Sequence, residues 1–93
     1  MEDKLINNRS KSRYELPISG DAVAVVYYSI ENDLVVLRHT EIPSEFSGQG
    51  YGTRVARAVF DKLRSEGARV MATCPFMALF AARHPEYAAM LDG

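Results

Sequence analysis

The sequence has one cysteine, no apolar run long enough to cross a membrane, and no excess of charge of either sign. A single cysteine cannot form an internal disulfide, which is typical of proteins in a reducing compartment. The longest apolar stretch, 22–30, is too short to span a bilayer and contains two tyrosines and a serine. The net charge is −1, so the composition gives no reason to expect nucleic acid as a partner.

The length of 93 residues suits one domain with a single core, which we expect to span 1–93. The chain starts with Met1-Glu2-Asp3-Lys4, a charged segment without the apolar region of a signal peptide. We therefore expect a cytoplasmic protein with no membrane partner.

Apolar and β-branched residues are concentrated in four segments that predict β-strands, at 5–6, 14–18, 22–30 and 34–42. A polar loop, 7–12, separates the first two. Asn32 and Asp33 suit a two-residue hairpin turn because both residue types tolerate positive φ. Pro17 cannot donate a backbone hydrogen bond, so it indicates a sheet edge or a nearby bulge. The third strand is apolar on nearly both sides, so we expect both of its faces to be covered.

Strict alternation along the fourth strand divides its side chains between the two faces of the sheet. One face is expected to carry Val35, Leu37, His39 and Glu41. The other is expected to carry Leu34, Val36, Arg38, Thr40 and Ile42.

The second half of the chain predicts a strand–helix–strand unit followed by short helices. An amphipathic pattern predicts a helix over 50–66, with Gly67 as its C-terminal cap. A fifth strand is predicted over 68–74. It should run parallel to the fourth, because strand, helix and strand form a right-handed βαβ unit. Cys74-Pro75 starts another helix, and 86–91 predicts a last short one. The fold class is α+β, with a four-stranded antiparallel meander before the parallel fifth strand.

Three glycines at alternate positions, Gly48, Gly50 and Gly52, lie between the fourth strand and the long helix. Glycines allow successive backbone N–H groups to point at one anion, and the helix N-terminus adds the positive end of its dipole. The loop therefore predicts a phosphate site, although a tight strand-to-helix turn explains the same residues. Position 53 is threonine, so the dinucleotide-binding fingerprint is absent.

Ligands of open sheets bind beyond the carboxyl ends of parallel strands. We expect His39, the glycine loop and Cys74 to converge there. Cys74 is either a small buried apolar residue or a helix N-cap thiol of the kind that acts as nucleophile or acyl carrier. His39 is either a hydrogen-bonded structural residue or a base for an amine or for Cys74. One cysteine and two histidines make a poor zinc set, so no metal is expected.

The glycine loop resembles the acetyl-CoA-binding signature of the GCN5-related N-acetyltransferases (GNATs), where a Gln/Arg-x-x-Gly-x-Gly/Ala loop holds the CoA pyrophosphate. Gly50 and Gly52 match the two small positions, whereas Ser47 replaces the usual Gln or Arg and removes one side-chain phosphate contact. Nearly the whole chain is similar to the small, YjdJ-type group of GNAT-like proteins. The other shared segments are His39-Thr40-Glu41-Ile42-Pro43, Cys74-Pro75-Phe76 and His84-Pro85-Glu86-Tyr87.

The resemblance implies a truncated GNAT-like fold, acetyl-CoA or another acyl-CoA as the donor, and an active site at His39 and Cys74. It implies CoA contacts at Thr40, Glu41, Ile42, Gly48, Gln49, Gly50, Tyr51, Gly52 and Thr53. Relative to full-size acetyltransferases, the chain has no room for a helix pair between the first two strands, and the last two strands are expected to be missing. The acceptor pocket is therefore expected to be open, which suits a protein or peptide amine or a site completed by a partner.

Three functions remain open on the sequence. The first is N-acyl transfer to an amine, in which His39 or a water deprotonates the amine, or Cys74 first takes the acyl group. The second is a CoA-binding module with little or no catalysis that acts through a partner. The third is a structural or interaction domain.

Overall fold

The computed structural model describes residues 4–92, so residues 1–3, most of the charged start of the chain, and residue 93 lie outside the description. The strands are β1 (Ile6–Asn8), β2 (Arg13–Ser19), β3 (Ala22–Glu31), β4 (Leu34–Glu41) and β5 (Arg69–Ala72). The helices are α1 (Tyr51–Ser65), α2 (Pro75–Ala82) and α3 (Pro85–Ala88), and short 3-10 turns cover Arg9–Lys11 and Ser44–Phe46. The predicted α+β class is confirmed.

The strands form one sheet in the order β1-β2-β3-β4-β5. The first four make an antiparallel meander, and β5 pairs with β4 in parallel after the α1 crossover, as predicted. Asn32 and Asp33 form the β3–β4 turn with φ values of 53° and 67°, the positive values that a tight hairpin needs. The register of β2 shifts between Pro17 and Ser19, where the missing proline amide indicated a bulge.

β1 is longer than the sequence predicts because Asn7 and Asn8, expected in a loop, pair with β2. The side chain of Asn8 then accepts a hydrogen bond from the amide of Lys11, which starts a 3-10 turn. This turn and Ser12, its left-handed C-cap, connect β1 to β2.

The last helix is shorter than predicted and ends at Ala88 rather than residue 91. The chain beyond it turns along the outer edge of β5, where Val70 donates to the carbonyl of Met90 and accepts from the amide of Asp92. Those hydrogen bonds compete with a further helical turn. They also cover the part of the β5 edge around Val70.

One hydrophobic core lies between the three helices and one face of the sheet, here called the core face. The sheet contributes Tyr14, Leu16, Ala24, Val26, Val35, Leu37 and Val70 to it. The helix α1 contributes the predicted apolar arc, Val55, Ala56, Val59, Phe60 and Leu63.

The opposite side of the sheet is here called the open face. Val25 and Val36 are buried there, but neither belongs to the core that the helices form. The buried residues of α1, α2 and α3 all belong to the core on the other side. Within residues 4–92, the expectation that other elements cover both faces of β3 is therefore wrong for the open face.

Tyr87 fastens the C-terminal helices to α1. Its side chain is 2% exposed, and its hydroxyl donates a 2.5 Å hydrogen bond to the Asp61 carboxylate on α1. The rings of Phe60, Phe80 and Tyr87 stack on one another with centroids 5.3–6.0 Å apart. Burial and the Asp61 carboxylate raise the pKa of Tyr87 because both disfavour the phenolate.

Candidate functional site

The strands β4 and β5 separate before β4 ends. They pair from Leu34 to Leu37 of β4, and the amides of Thr73 and Cys74 then both donate to the carbonyl of Leu37, at 2.9 and 3.1 Å. This double contact ends β5 at Ala72, two residues before the predicted end at Cys74. In the part of the chain from 4 to 92, no strand continues beside Arg38–Glu41 on this side. We call that segment the open edge of β4.

A β-bulge in β4 changes which residues face the core. Tyr28 of β3 lies opposite Leu37 and Tyr27 lies opposite His39, so Arg38 is an extra residue in β4. Alternation restarts after the bulge with the opposite phase. His39 and Glu41 therefore lie on the open face, and the prediction that they share a face with Val35 and Leu37 is wrong.

Thr40 takes the position on the core side that alternation had predicted for His39. Its hydroxyl oxygen lies 3.5 Å from the sulfur of Cys74, which is 5% exposed. Cys74 is the N-cap residue of α2 and Pro75 begins the helix, as predicted. The pair joins the open edge of β4 to the first turn of α2.

The glycine loop leads from β4 to the N-terminus of α1. Gly48 and Gly50 have φ values of 76° and 85°, in the left-handed region that favours glycine. Ser47 and Gln49 donate side-chain hydrogen bonds to the carbonyls of Ser44 and Glu45, which ties the loop to the preceding turn. Ser47 thus takes part in the loop's internal structure.

The N-terminus of α1 carries no side-chain cap and no acidic residue in its first turn. Its first helical hydrogen bond runs from the amide of Arg54 to the carbonyl of Gly50. The amides of Tyr51, Gly52 and Thr53 precede it, where a helix offers no acceptor of its own. Helix ends of this kind attract anions, because these N–H groups and the helix dipole act together.

The third glycine of the loop, Gly52, lies where the N-termini of α1 and α2 meet. A Cβ atom at this position would lie 3.0 Å from Cζ of Phe76, the second residue of α2. The missing side chain lets the N-termini of α1 and α2 approach each other. Phe76 remains 42% exposed, and Leu79 one turn later is 53% exposed, so this side of α2 is apolar at its surface.

The open face carries a polar chain of contacts that leads to β4. His39 lies 3.1 Å from the Glu41 carboxylate and stacks on Tyr27, with ring centroids 6.2 Å apart. Arg13 donates to the Tyr27 hydroxyl at 3.1 Å and to Glu15 at 2.7 Å. Hydrogen bonds from Asn8 and Arg13 hold the pKa of Glu15 below its ordinary value.

The structure therefore separates residues that the sequence grouped together. Thr40, Cys74 and the N-termini of α1 and α2 lie together at the open edge of β4. His39 and Glu41 lie on the other side of the strand, so His39 and Cys74 face opposite sides of the sheet. Phe76 was named only as part of the shared Cys74-Pro75-Phe76 segment, and no role was predicted for it.

The chain thus has an α+β fold in which the parallel strands β4 and β5 separate, close to the uncapped N-terminus of α1. The sequence model of the GCN5-related N-acetyl-transferase family matches residues 13–90. The chain belongs to the GCN5-related N-acetyltransferase family, and its general class of reaction is acyl transfer from acyl-CoA to an amine.

Several known proteins are similar to the chain. Protein NATD1 of Bos taurus is 26% identical over 81 residues, which cover 85% of this chain and 72% of that protein. NATD1 of Xenopus tropicalis is 25% identical, with coverage of 85% and 74%. The NMR solution structure of a GCN5-like protein from Staphylococcus aureus superimposes with a TM-score of 0.70 at 21% identity, covering 97% of this chain and 88% of that one. This likeness confirms the GNAT-like fold.

None of the helices between residue 4 and residue 92 combines the length and the apolarity that a crossing of the bilayer requires.

Proposed function

We propose that the protein transfers an acyl group from acyl-CoA, with acetyl-CoA as the expected donor, to a primary amine. One observation carries the proposal. The uncapped N-terminus of α1 lies close to the first turn of α2, whose N-cap residue Cys74 contacts Thr40 on the open edge of β4. An anion site and a row of unpaired strand groups next to each other suit a ligand with a diphosphate and an amide-bearing arm.

The residues present fit acyl-CoA. Gly48 and Gly50 adopt backbone conformations that favour glycine, and a Cβ at either position would meet no atom within 4 Å, so the loop leaves space for a ligand. The amides from Gln49 to Thr53 would hold the pyrophosphate. The backbone of Thr40, Glu41 and Ile42 would hold the arm and polarise the acyl carbonyl.

Acyl-CoA supplies an activated acyl carbon, to which the amine nitrogen bonds as the carbon–sulfur bond breaks. The chain must remove a proton from the attacking amine and keep the acyl group in place. His39 is the proposed base, because a neutral imidazole accepts a proton near physiological pH. It is 61% exposed in its side chain, which leaves it accessible to an amine from the open face.

We propose two alternative routes that involve Cys74. In the direct route, its thiol donates a proton to the departing CoA sulfur. In the covalent route, its thiolate first takes the acyl group and passes it to the amine, and CoA is released as the thiol. Its contact with Thr40 at the open edge puts the sulfur beside the proposed acyl site. Separation of the two routes requires a mass measurement of the protein after exposure to acetyl-CoA alone.

The test of the function is acetyl transfer to a lysine-containing peptide, followed by mass spectrometry of the peptide. We expect transfer by the wild-type chain and a loss of about 100-fold in kcat for His39→Gln, with little change in the KM for acetyl-CoA. His84→Gln is the matched control, because His84 is the other histidine and its ring bonds to the carbonyl of Phe80. Acetyl-CoA binding without transfer to any amine would instead support the CoA-binding module.

A further inference from the structure

The open face contains a groove next to the end of β4. It is lined by Arg13, Val23, Val25, Glu41, Ile42 and Pro43. Val25 lies directly opposite Glu41 in the sheet, so the apolar floor of the groove and the carboxylate are adjacent. The groove lies on the side of the sheet opposite the core that the helices form.

The two charged side chains of the groove differ in how accessible they are to a ligand. The Arg13 side chain is 20% exposed, and its guanidinium already donates hydrogen bonds to Glu15 and Tyr27. The Glu41 side chain is 57% exposed, and the ring of His39, which is 61% exposed, lies beside it. A ligand in the groove therefore meets an apolar floor with a negative group at one end.

We propose that this groove binds a lysine side chain of a peptide or protein, which is the acyl acceptor of the proposed function. The ammonium group pairs with Glu41 and the methylene chain lies over Val23 and Val25. These two valines are about 6.8 Å apart along the strand, so the four-carbon stem of a lysine paired with Glu41 covers Val25 and reaches toward Val23. The inference rests on acyl transfer being the function and adds the class of acceptor.

Two further observations favour a lysine in a polypeptide. The core-forming helices all lie on the other face, which leaves space above the groove for the backbone of a peptide. His39 lies 3.1 Å from Glu41, so an ammonium bound there has a proton acceptor beside it. The proton passes from the ammonium to Nε2 of His39, the imidazole nitrogen that faces Glu41, and the neutral amine then faces the open edge of β4.

The direct test is an NMR titration of valine-methyl-labelled protein, without acetyl-CoA, with an N-acetylated and amidated Gly-Lys-Gly peptide. We expect shifts of the Val23 and Val25 methyl groups and at least a tenfold loss of affinity in Glu41→Gln. Glu31→Gln is the matched control, because Glu31 is an exposed carboxylate paired with Arg38 on the same face. Its affinity should equal that of the wild-type chain.

Two related ligands define what overturns the inference. The same peptide with norleucine in place of lysine lacks the ammonium group, and equal binding of that peptide would contradict the role of Glu41. Equal binding of n-butylamine would contradict a polypeptide acceptor in favour of a small amine. The titration needs no acyl donor. If acetyl-CoA binds at the glycine loop and the lysine peptide leaves both valines unshifted, the inference fails while the proposed donor site stands.

Discussion

The hydroxyl oxygen of Thr40 lies 3.5 Å from the sulfur of Cys74, although 34 residues separate them in the chain. This contact joins β4, just after its bulge, to the first turn of α2. It lies at the point where β5 leaves β4, beside the proposed acyl-CoA site. The N-terminus of α1 approaches the same turn of α2, because a Cβ at Gly52 would come within 3.0 Å of the Phe76 ring.

Gly50 and Gly52 are expected to respond differently to alanine. Gly50 has φ 85° and open space around it, so Gly50→Ala is expected to lower the free energy of unfolding by about 1 kcal/mol through backbone strain alone. Gly52 is inside a helix, and alanine there meets only the tip of the Phe76 ring. Gly52→Ala should change the free energy of unfolding by less than about 1 kcal/mol, because the higher helix propensity of alanine offsets the contact.

Urea unfolding measures both changes, and the aromatic NMR signals of Phe76 report the displacement of its ring. They should shift in Gly52→Ala and stay in place in Gly50→Ala. An unshifted ring in Gly52→Ala would contradict the contact between the two helix N-termini.

Cys74→Ala distinguishes the two acyl-transfer routes. After exposure to acetyl-CoA alone, the covalent route predicts a mass gain of one acetyl group on the wild-type chain that is lost in the variant. The direct route predicts no mass gain, with turnover retained in part. Cys74→Ser is the matched control for size and tests whether a hydroxyl can replace the thiol as a proton donor. Undiminished turnover in Cys74→Ala would exclude the covalent route.

Tyr87→Phe is expected to lower the free energy of unfolding by about 1.5 kcal/mol. The variant keeps the buried ring and its stacking but loses the hydrogen bond to the Asp61 carboxylate. Tyr27→Phe loses a hydrogen bond to Arg13 at a more exposed position, so it should cost less. Chemical denaturation at pH 7 compares the two, and equal losses would contradict the anchoring role of Tyr87.

Tyr14 makes stability depend on pH in the alkaline range. Burial raises the pKa of Tyr14 from 10.0 to about 12. The folded chain therefore binds more protons than the unfolded chain between these values, and stability falls as pH rises from 10 toward 12. The total loss is about 2–3 kcal/mol at most. Tyr14→Phe should flatten this part of the stability profile, and an unchanged slope between pH 10 and 12 would contradict the assignment.

The sequence predicted the architecture because its local signals agree with one another. The apolar arc of α1, the Asn32-Asp33 turn and the Cys74-Pro75 helix start each have a direct local cause, and the structure contains all three. The bulge at Arg38 has no such signal in its own residue type. The bulge is visible only as a change in the alternation of apolar residues along β4. Val35 and Leu37, at odd positions, pack in the core, whereas Ile42, at an even position, packs against it.

The open face was harder to predict. A strand with apolar residues on both sides is typical of a covered strand, and Val23 and Val25 fit that pattern. Whether another layer covers them depends on contacts between distant parts of the chain, which periodicity does not report. The groove beside Glu41 follows from pairing across three strands and was therefore not visible in any single segment.

The most direct test of the proposed acyl-CoA site is a titration of ¹⁵N-labelled protein with acetyl-CoA, followed by two-dimensional NMR. We predict the largest amide shifts from Gly48 to Thr53 and along the open edge of β4, from Arg38 to Glu41. Thr73 and Cys74 at the end of β5 should follow. No shift at millimolar acetyl-CoA, or shifts confined to residues away from the glycine loop and β4, would contradict acyl-CoA binding at this site.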